Sequence, residues 1–268
     1  MDNPLIQGKA KMDTPLLRND MEGVAILTLN RPAQYNALSS ALLQALHAEL
    51  DAIAASKTIR VVVIAGNGNA FCAGHDLKEM RANRAQAEIA NLFSTCSDMM
   101  LKIVRMPQPV IAEVNGMATA AGCQLVAQCD LAVSADHAKF AVSGINLGLF
   151  CSTPAVALSR TISSKRAAEM LFTGEFIDAQ KALEWGLVNR VTSRADLRAA
   201  TLQLAATLKA KPREELAMGK ALFYRQLEVG LENAYEDASK TITRNFMQAA
   251  ALEGIDAFIE KRPPKWED

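Results

Sequence analysis

Two segments rich in small residues carry the most chemically suggestive pattern in this 268-residue chain. They read FCAGHDLKE over residues 71–79 and NGMATAAGCQLVAQCD over residues 115–130. Each looks like a strand that enters a Gly- or Ala-rich turn and opens a helix, where free backbone N–H groups point outward. Side by side, two such turns could grip one carbonyl oxygen, and small residues would let an acyl group approach the chain closely. The pattern predicts a main-chain oxyanion hole, with two ordinary tight turns as the alternative.

A third segment, NRPAQYNALS at residues 30–39, joins these two in a recognisable order and spacing. Together they resemble the crotonase superfamily, also called the enoyl-CoA hydratase/isomerase family, from near residue 16 to the C-terminus. Within that family the chain is most similar to the enoyl-CoA hydratase domain-containing protein 3 branch, through the segments GHDLKE, AAGCQLVAQCD, GLFCSTP and KRPPKW. The resemblance implies an α/β fold, with a crotonase-like ββα spiral core followed by a helical C-terminal oligomerisation region.

The hydrophobic periodicity is consistent with that architecture. Strand and helix patterns alternate over about the first 190 residues, including a helix over 39–56, a single long helix over 77–105 and a strand over 187–191. Only helices are expected after residue 195, one of them starting at Pro212. We therefore expect a disordered N-terminus over residues 1–15, the core with the acyl-CoA site over 16–195, and a helical trimerisation region over 196–268. The resemblance implies a homotrimer or a dimer of trimers.

Composition excludes several other classes of function. Lys and Arg total 29, as do Asp and Glu, so nothing suggests a nucleic-acid partner. The longest apolar stretch is interrupted by polar residues, which argues against a membrane span. Five cysteines without a C-x-x-C pair suit buried reduced thiols, and three scattered histidines predict no metal site. With no signal-peptide pattern, the chain is expected to be cytoplasmic and to need no cofactor other than the coenzyme A of its substrate.

The resemblance assigns roles to individual residues. It places the two oxyanion donors on the backbone N–H groups of His75 and Ala121. For His75 the imidazole is either an acid/base group or a bystander on the backbone donor, and Lys78 and Lys261 are either ligand contacts or ordinary surface lysines. The positions that contact coenzyme A in relatives are Asn36, Ala37, Leu38, Ala73, Asp76, Leu77, Lys78, Phe258 and Lys261.

Two departures from the family pattern affect the predicted reaction. Hydration of a 2-enoyl thioester needs one group to take a proton from water and another to deliver one to the α carbon. The hydratases use two glutamates, and these positions are Gln124 and Gly144 in this chain. A carboxamide does not take up protons near neutral pH and glycine has no side chain. Isomerases would want a carboxylate at 124, 144 or the position of Ser152, and none is acidic.

The main hypothesis is therefore an acyl-CoA-binding family member whose ordinary hydratase activity is weak or absent. The retained hole favours a lyase-type enzyme of fatty acid metabolism, with decarboxylation of a 2-carboxyacyl-CoA as the most economical reaction. The alternatives are a non-catalytic acyl-CoA sensor or scaffold and a genuine hydratase with a relocated acid or base. The polar candidates left near the reacting carbons are Gln124, Asn146, Cys151, Ser152 and His75. Glu113 is expected to have a structural role, on a strand for which the sequence does not indicate which side of the sheet its side chain occupies.

Overall fold

A computed structural model describes residues 14–266. Residues 1–13, most of the N-terminal segment expected to be disordered, lie outside the described residues, as do 267 and 268. Within 14–266, no helix combines the length and the apolar character needed to cross a membrane.

Two sheets form the framework. In chain order the strands are β1 (Leu16–Met21), β2 (Val24–Leu29), β3 (Val61–Gly66), β4 (Ala70–Cys72), β5 (Val110–Val114), β6 (Met117–Thr119), β7 (Leu131–Ala135), β8 (Lys139–Ala141), β9 (Ile177–Asp178) and β10 (Arg190–Thr192). The larger sheet has the order β1-β2-β3-β5-β7-β10 and is parallel except for the β1–β2 pair. The smaller sheet has the order β4-β6-β8-β9, with β9 antiparallel to β8.

Helices connect the strand pairs and then make up the C-terminal part of the chain. They are α1 (Ser40–Ala54), α2 (Leu77–Ala82), α3 (Gln86–Arg105), α4 (Ala121–Gln128), α5 (Ser152–Thr161), α6 (Ser164–Thr173), α7 (Ala179–Trp185), α8 (Leu197–Lys209), α9 (Arg213–Gln226), α10 (Leu231–Phe246) and α11 (Ala249–Ile259). Short 3₁₀ helices cover Pro32–Gln34 and Ser143–Leu147.

The chain alternates between the two sheets in a repeated ββα unit. Strands β3, β5 and β7 each add to the larger sheet, and the strand that follows each of them adds to the smaller sheet before the chain becomes helical. The central strand β3 is apolar throughout because both of its faces are buried. Val62 and Ile64 enter the core between the sheets, while Val61 and Val63 enter a second core under α8. The predicted α/β spiral followed by helices is confirmed.

Helix α1 shows how local sequence determines one of these elements. The hydroxyl of Ser39 caps its first turn by accepting a hydrogen bond from the N–H of Leu42, at 3.3 Å. Apolar residues at helical spacing then form its buried face, which comprises Leu42, Leu43, Leu46, Leu50 and Ile53. The predicted helix is confirmed, and it ends at Ala54 rather than at residue 56.

Three predicted element boundaries were wrong. The single helix expected over 77–105 is two helices, because Asn83 and Ala85 have extended or irregular backbone angles and residues 83–85 are exposed. The strand expected over 187–191 starts at Arg190, since Leu187 still closes the end of α7 by donating to the carbonyl of Ala182. Pro212 precedes α9 as its N-cap instead of being its first residue.

A buried ion pair joins the C-terminal helices to the core. The ammonium of Lys220 on α9 donates to Asp130 Oδ2 at 2.6 Å and to the carbonyls of Ile103 and Gln108, both at 2.8 Å. The hydroxyl of Tyr224 donates to the other oxygen of Asp130 at 2.8 Å. The carbonyls lie at and after the end of α3, so this cluster ties α9 to both α3 and the larger sheet.

Candidate active site

The two small-residue turns identified in the sequence are in direct main-chain contact. Gly74 has a φ of +89°, and a Cβ there would lie 2.9 Å from the Cβ of Ala120 and 3.2 Å from the nitrogen of Ala121. A Cβ on Gly122 would lie only 2.0 Å from the carbonyl oxygen of Cys72. Glycine at 74 and 122 is therefore what permits this approach.

Two N–H groups remain available where these turns meet. Their neighbours are used, since Asp76 N–H donates to the carbonyl of Leu38 and Ala120 N–H donates to the carbonyl of Ala141. For the N–H groups of His75 and Ala121, the described part of the chain provides no acceptor. Ala121 is the first residue of α4, so its N–H also carries the positive end of the helix dipole. The site can thus donate two main-chain hydrogen bonds to one oxygen.

Ala120, just before the second donor, has an unusual backbone. Its φ of 49° and ψ of −120° lie in a region that L-residues rarely adopt. Conformations of this kind typically cost about 1–3 kcal/mol and cluster at functional sites. The sequence pattern showed a small residue here but not the strain that it bears.

The imidazole of His75 is held against an aromatic ring. It packs edge-on against Phe93 of α3, with ring centroids 5.0 Å apart and an interplanar angle of 73°. Its Nε2 is buried and has no hydrogen-bond partner within residues 14–266. Burial lowers the pKa of His75 to about 4, because the charged form is poorly solvated there. The ring is therefore neutral near pH 7, and within the described residues no hydrogen bond joins it to Cys151.

Gln124 occupies the position of the first family glutamate, one turn into α4. Its side chain is only 4% exposed, and its Oε1 has no partner in the described chain. Side chains on a helix lie over the turn that precedes their own Cα, so this carboxamide is directed toward Ala121. It therefore borders the pair of free N–H groups.

The position of the second glutamate is closed by packing. Gly144 lies in the 3₁₀ helix Ser143–Leu147, and a Cβ there would be 2.4 Å from the carbonyl oxygen of Leu149 and 2.7 Å from the Sγ of Cys151. No side chain fits without movement of this segment. Cys151 itself is buried, and burial raises the pKa of its thiol. Two other polar candidates are exposed: Asn146 donates to the carbonyl of Gly174 and Ser152 to that of Phe150.

The loop over residues 36–38 approaches the first turn through its main chain. Asn36 is fully buried, and its amide donates to the carbonyls of Asn67 and Ala70 at 2.9 and 2.8 Å. Leu38 is a core residue whose N–H and carbonyl bond to the main chain of 74–76. Of the three predicted contacts in this loop, the side chains of Asn36 and Leu38 are thus committed to the interior.

Asp76 is also committed to the fold. It caps α2 by accepting from Lys78 N–H and Glu79 N–H, and it pairs with Arg31 at 2.8 Å. Burial would raise the pKa of Asp76, but the Arg31 guanidinium and these N–H groups outweigh it and lower the pKa. Arg31 further donates to the carbonyl of Ala37. The sequence analysis assigned Arg31 no role, although it lies in the segment NRPAQYNALS.

The remaining predicted residues divide into two groups. Ala73, Leu77 and Lys78 flank the first turn, with Leu77 and Lys78 exposed. Phe258 and Lys261 lie in and after α11, where Phe258 is 84% exposed and lines a groove with residues such as Ile255 and Trp266. The structure therefore gathers residues 36–38, 73–78, 121 and 124 around one site and places 258 and 261 in the C-terminal helices.

Glu113 faces away from this site. On β5 it shares a face with Ile111, which packs in the core under α8. Its carboxylate pairs with Arg198 of α8 at 3.0 Å. Burial raises the pKa of Glu113, although Arg198 and Thr201 oppose that shift. Its role in the described structure is to hold α8 on the larger sheet.

Comparisons with known proteins agree with this geometry. A family model described as "Enoyl-CoA hydratase/isomerase" matches residues 19–268. Mouse enoyl-CoA hydratase domain-containing protein 3 is 46% identical over 91% of this chain and 82% of its own length. The 2,3-dehydroadipyl-CoA hydratase of Escherichia coli is 35% identical over 93% of this chain and 97% of its own length.

Solved structures show the same relationship in three dimensions. The crystal structure of an enoyl-CoA hydratase from Mycobacterium smegmatis superposes with a TM-score of 0.92 and 55% identity, covering 94% of this chain and 98% of that one. The crystal structure of human enoyl-CoA hydratase domain-containing protein 3 gives a TM-score of 0.91 and 44% identity, covering 94% of this chain and 100% of the human chain.

The comparisons also correct one prediction. The mouse and other vertebrate domain-containing protein 3 relatives are named mitochondrial, which contradicts the cytoplasmic location expected from the sequence. That expectation rested on the absence of a leader pattern. In family, branch and fold the resemblance found in the sequence is confirmed, and the chain belongs to the enoyl-CoA hydratase/isomerase, or crotonase, family.

Proposed function

We propose that this protein binds acyl-CoA thioesters by holding the thioester oxygen between the backbone N–H groups of His75 and Ala121. The observation that carries the proposal is the meeting of two turns whose main-chain donors have no acceptor in the described chain. Donors fixed in this way stabilise an oxygen that gains negative charge, as it does when a thioester becomes an enolate. Both donors belong to the main chain, so alanine at 121 serves as well as glycine.

The coenzyme A body would lie along the exposed edge of the first turn. Ala73, Leu77 and Lys78 are beside the hole, and the main chain of residues 36–38 adjoins them. Lys78 is exposed and has no ion pair in the described residues, so its ammonium is free to meet a phosphate. Asp76 positions this edge through Arg31 rather than contacting the ligand with its carboxylate.

Ordinary hydratase activity is proposed to be weak or absent because proton-transfer groups are missing. Gln124 carries no titratable proton and Gly144 has no room for a side chain. Of the other titratable groups, His75 is neutral, and Asp76 and Glu113 are held in ion pairs. Each positioned acid or base is typically worth about 10²- to 10⁴-fold in rate.

The test is to mix the purified protein with crotonyl-CoA and follow the conjugated enoyl absorbance, with thioester binding measured by calorimetry on the same samples. We expect the wild type to bind and to turn over slowly. Gln124→Glu should increase the rate by about 10²-fold, the lower end of the range for one positioned group. Gln128→Glu, one turn further along α4, is the matched control and should give no gain. Rapid hydration by the wild type would overturn the proposal.

The second candidate is a genuine hydratase with a relocated acid or base. The Escherichia coli relative named a hydratase favours it. It predicts fast wild-type turnover and little gain from Gln124→Glu. A decarboxylase of 2-carboxyacyl-CoA would release CO₂ from a panel of such thioesters, whereas a non-catalytic sensor would bind thioesters and turn over none of them.

The C-terminal helices supply the surface for a proposed homotrimer or dimer of trimers. Large apolar side chains on α9 to α11 are exposed in the isolated chain, which is unusual for a monomer. They include Phe223, Leu231, Tyr235, Ile242, Phe246 and Phe258. Phe258 and Lys261, remote in sequence from both turns, would then complete the coenzyme A site of a neighbouring copy. Light scattering after gel filtration tests the assembly, and a monomer at micromolar concentration would contradict it.

A further inference from the structure

Two side chains at the mouth of the hole contain buried polar atoms without a partner. They are Nε2 of His75 and Oε1 of Gln124. Three other buried side chains in the described residues have an unsatisfied atom, but each is anchored by another contact. Gln108 donates to the carbonyl of Ile53, Asn115 donates to that of Gly68, and Glu113 pairs with Arg198. The side chains of His75 and Gln124 make no hydrogen bond at all within residues 14–266.

Both side chains are placed to meet the same part of a ligand. The backbone N–H of His75 is one of the two proposed donors, so its imidazole branches from a residue next to the thioester oxygen. Gln124 shares a helix face with Ala121, three residues earlier, and its carboxamide lies back over that turn. Beyond the carbonyl carbon itself, the atoms of an acyl chain nearest to the held oxygen are C2 and C3. A substituent on either carbon is therefore the group that these two side chains would reach.

The chemistry of the pair selects an uncharged group. A neutral imidazole nitrogen and an amide oxygen offer acceptors and donors but no charge, and burial holds the pKa of His75 at about 4. Of the cations near the first turn in the described residues, Arg31 is already paired with Asp76, and the exposed Lys78 is the one assigned above to a phosphate of coenzyme A. A carboxylate would bring only acceptors and could not satisfy the oxygen of Gln124. A hydroxyl both donates and accepts, so it can satisfy both atoms at once.

Resting on the acyl-CoA binding proposed above, we propose that His75 and Gln124 form a specificity pair that recognises a hydroxyl group on C2 or C3 of the acyl chain. A saturated, unsubstituted chain would leave both buried atoms unpaired. Sites built to hydrogen-bond a hydroxyl discriminate against analogues that lack it for this reason. The preference comes from side chains, whereas the grip on the thioester comes from the main chain.

The test compares the dissociation constants of butyryl-CoA, 2-hydroxybutyryl-CoA and 3-hydroxybutyryl-CoA by calorimetry on the full-length protein. We expect one of the hydroxylated thioesters to bind about tenfold more tightly than butyryl-CoA, the size of effect typical of satisfying a buried polar group. In His75→Phe, which keeps a ring against Phe93, and in Gln124→Met, the ratio should fall toward one. Gln128→Met makes the same chemical change one turn further along α4 and should keep the wild-type ratio.

The outcomes separate the two proposals. If the wild type binds all three thioesters equally, the specificity pair is refuted while thioester binding stands. If a preference exists but survives in His75→Phe and Gln124→Met, the hydroxyl is read elsewhere and the assignment is wrong. If the wild type binds none of the three thioesters, the proposed function itself fails.

Discussion

The Sγ of Cys151 lies 2.7 Å from the point that a Cβ on Gly144 would occupy. The carbonyl oxygen of Leu149 is nearer still to that point, at 2.4 Å. The segment over residues 144–151 therefore folds back onto the glycine and fills the space of a missing side chain. Loss of the second glutamate is a feature of packing as well as of chemistry, so the carboxylate is not restored by a simple exchange.

Gly144→Ala should destabilise the protein by about 1–3 kcal/mol, the usual effect of overpacking a filled site. The measurement is the free energy of unfolding in urea. Gly219→Ala is the matched control, because no atom lies within 4 Å of its added Cβ. Since Gly219 lies in α9, that exchange should be neutral or stabilise by about 0.5–1 kcal/mol. Equal effects of the two exchanges would contradict the packing described here.

Ala120→Gly should stabilise the protein or leave its stability unchanged, with a gain of up to about 1 kcal/mol. Glycine relieves the strain at a φ of 49°, and this relief offsets its greater freedom in the unfolded chain. Ala127→Gly, within α4, is the control and should cost about 1 kcal/mol. Thermal unfolding should therefore show a loss of stability in Ala127→Gly and none in Ala120→Gly. A loss at 120 as large as that at 127 would argue against a strained backbone.

His75 should make the stability depend on acidity below neutral pH. Burial lowers its folded pKa from 6.5 to about 4, so between these values the unfolded chain binds more protons than the folded chain. The contribution is fully present above pH 6.5 and is lost as the pH falls toward 4, by up to about 3 kcal/mol. His75→Phe should lose less stability than the wild type between pH 7.5 and 4.5 in urea unfolding. Parallel pH profiles would show that the imidazole is not buried as described.

Lys220→Met should destabilise the protein by about 3–5 kcal/mol, because it leaves the carboxylate of Asp130 buried without its cation. Adding Asp130→Asn should recover part of the loss. Lys240→Met removes an exposed partner of Glu236 and should leave the stability nearly unchanged, because water screens this pair. Urea unfolding of the three variants tests the order. Similar losses at 220 and 240 would mean that the pair with Asp130 does not hold α9.

Local sequence predicted much of this fold because several helices, strands and turns carry recognisable signals in their own residues. Ser39 caps α1, the apolar run of β3 requires burial on both faces, and the glycines of the two turns mark where strands meet helices. The break after Ala82 was not predicted, because residues on both sides of it have good helical patterns.

The meeting of the two turns was predictable, but its surroundings were not. The turns containing His75 and Ala121 were located from their small residues and from family resemblance. The contact of His75 with Phe93 and the crowding of Gly144 by Leu149 are tertiary, and no local pattern signals them. Family resemblance placed Asn36 among the coenzyme A contacts, but it did not indicate that its side-chain amide ties the loop to Asn67 and Ala70.

Because the proposed hole would be made of peptide N–H groups, its hydrogen bonds to a thioester oxygen would not depend on the side chains around it. On that proposal, a lineage could exchange the residues at 75, 121 and 124 and still anchor a thioester, provided that Gly74 and Gly122 continue to let the turns touch. Side-chain exchanges beside the thioester would then change the reaction or the acyl preference one residue at a time, while the main-chain hydrogen bonds stay in place. The same separation would make this chain a suitable starting point for laboratory evolution of thioester reactions.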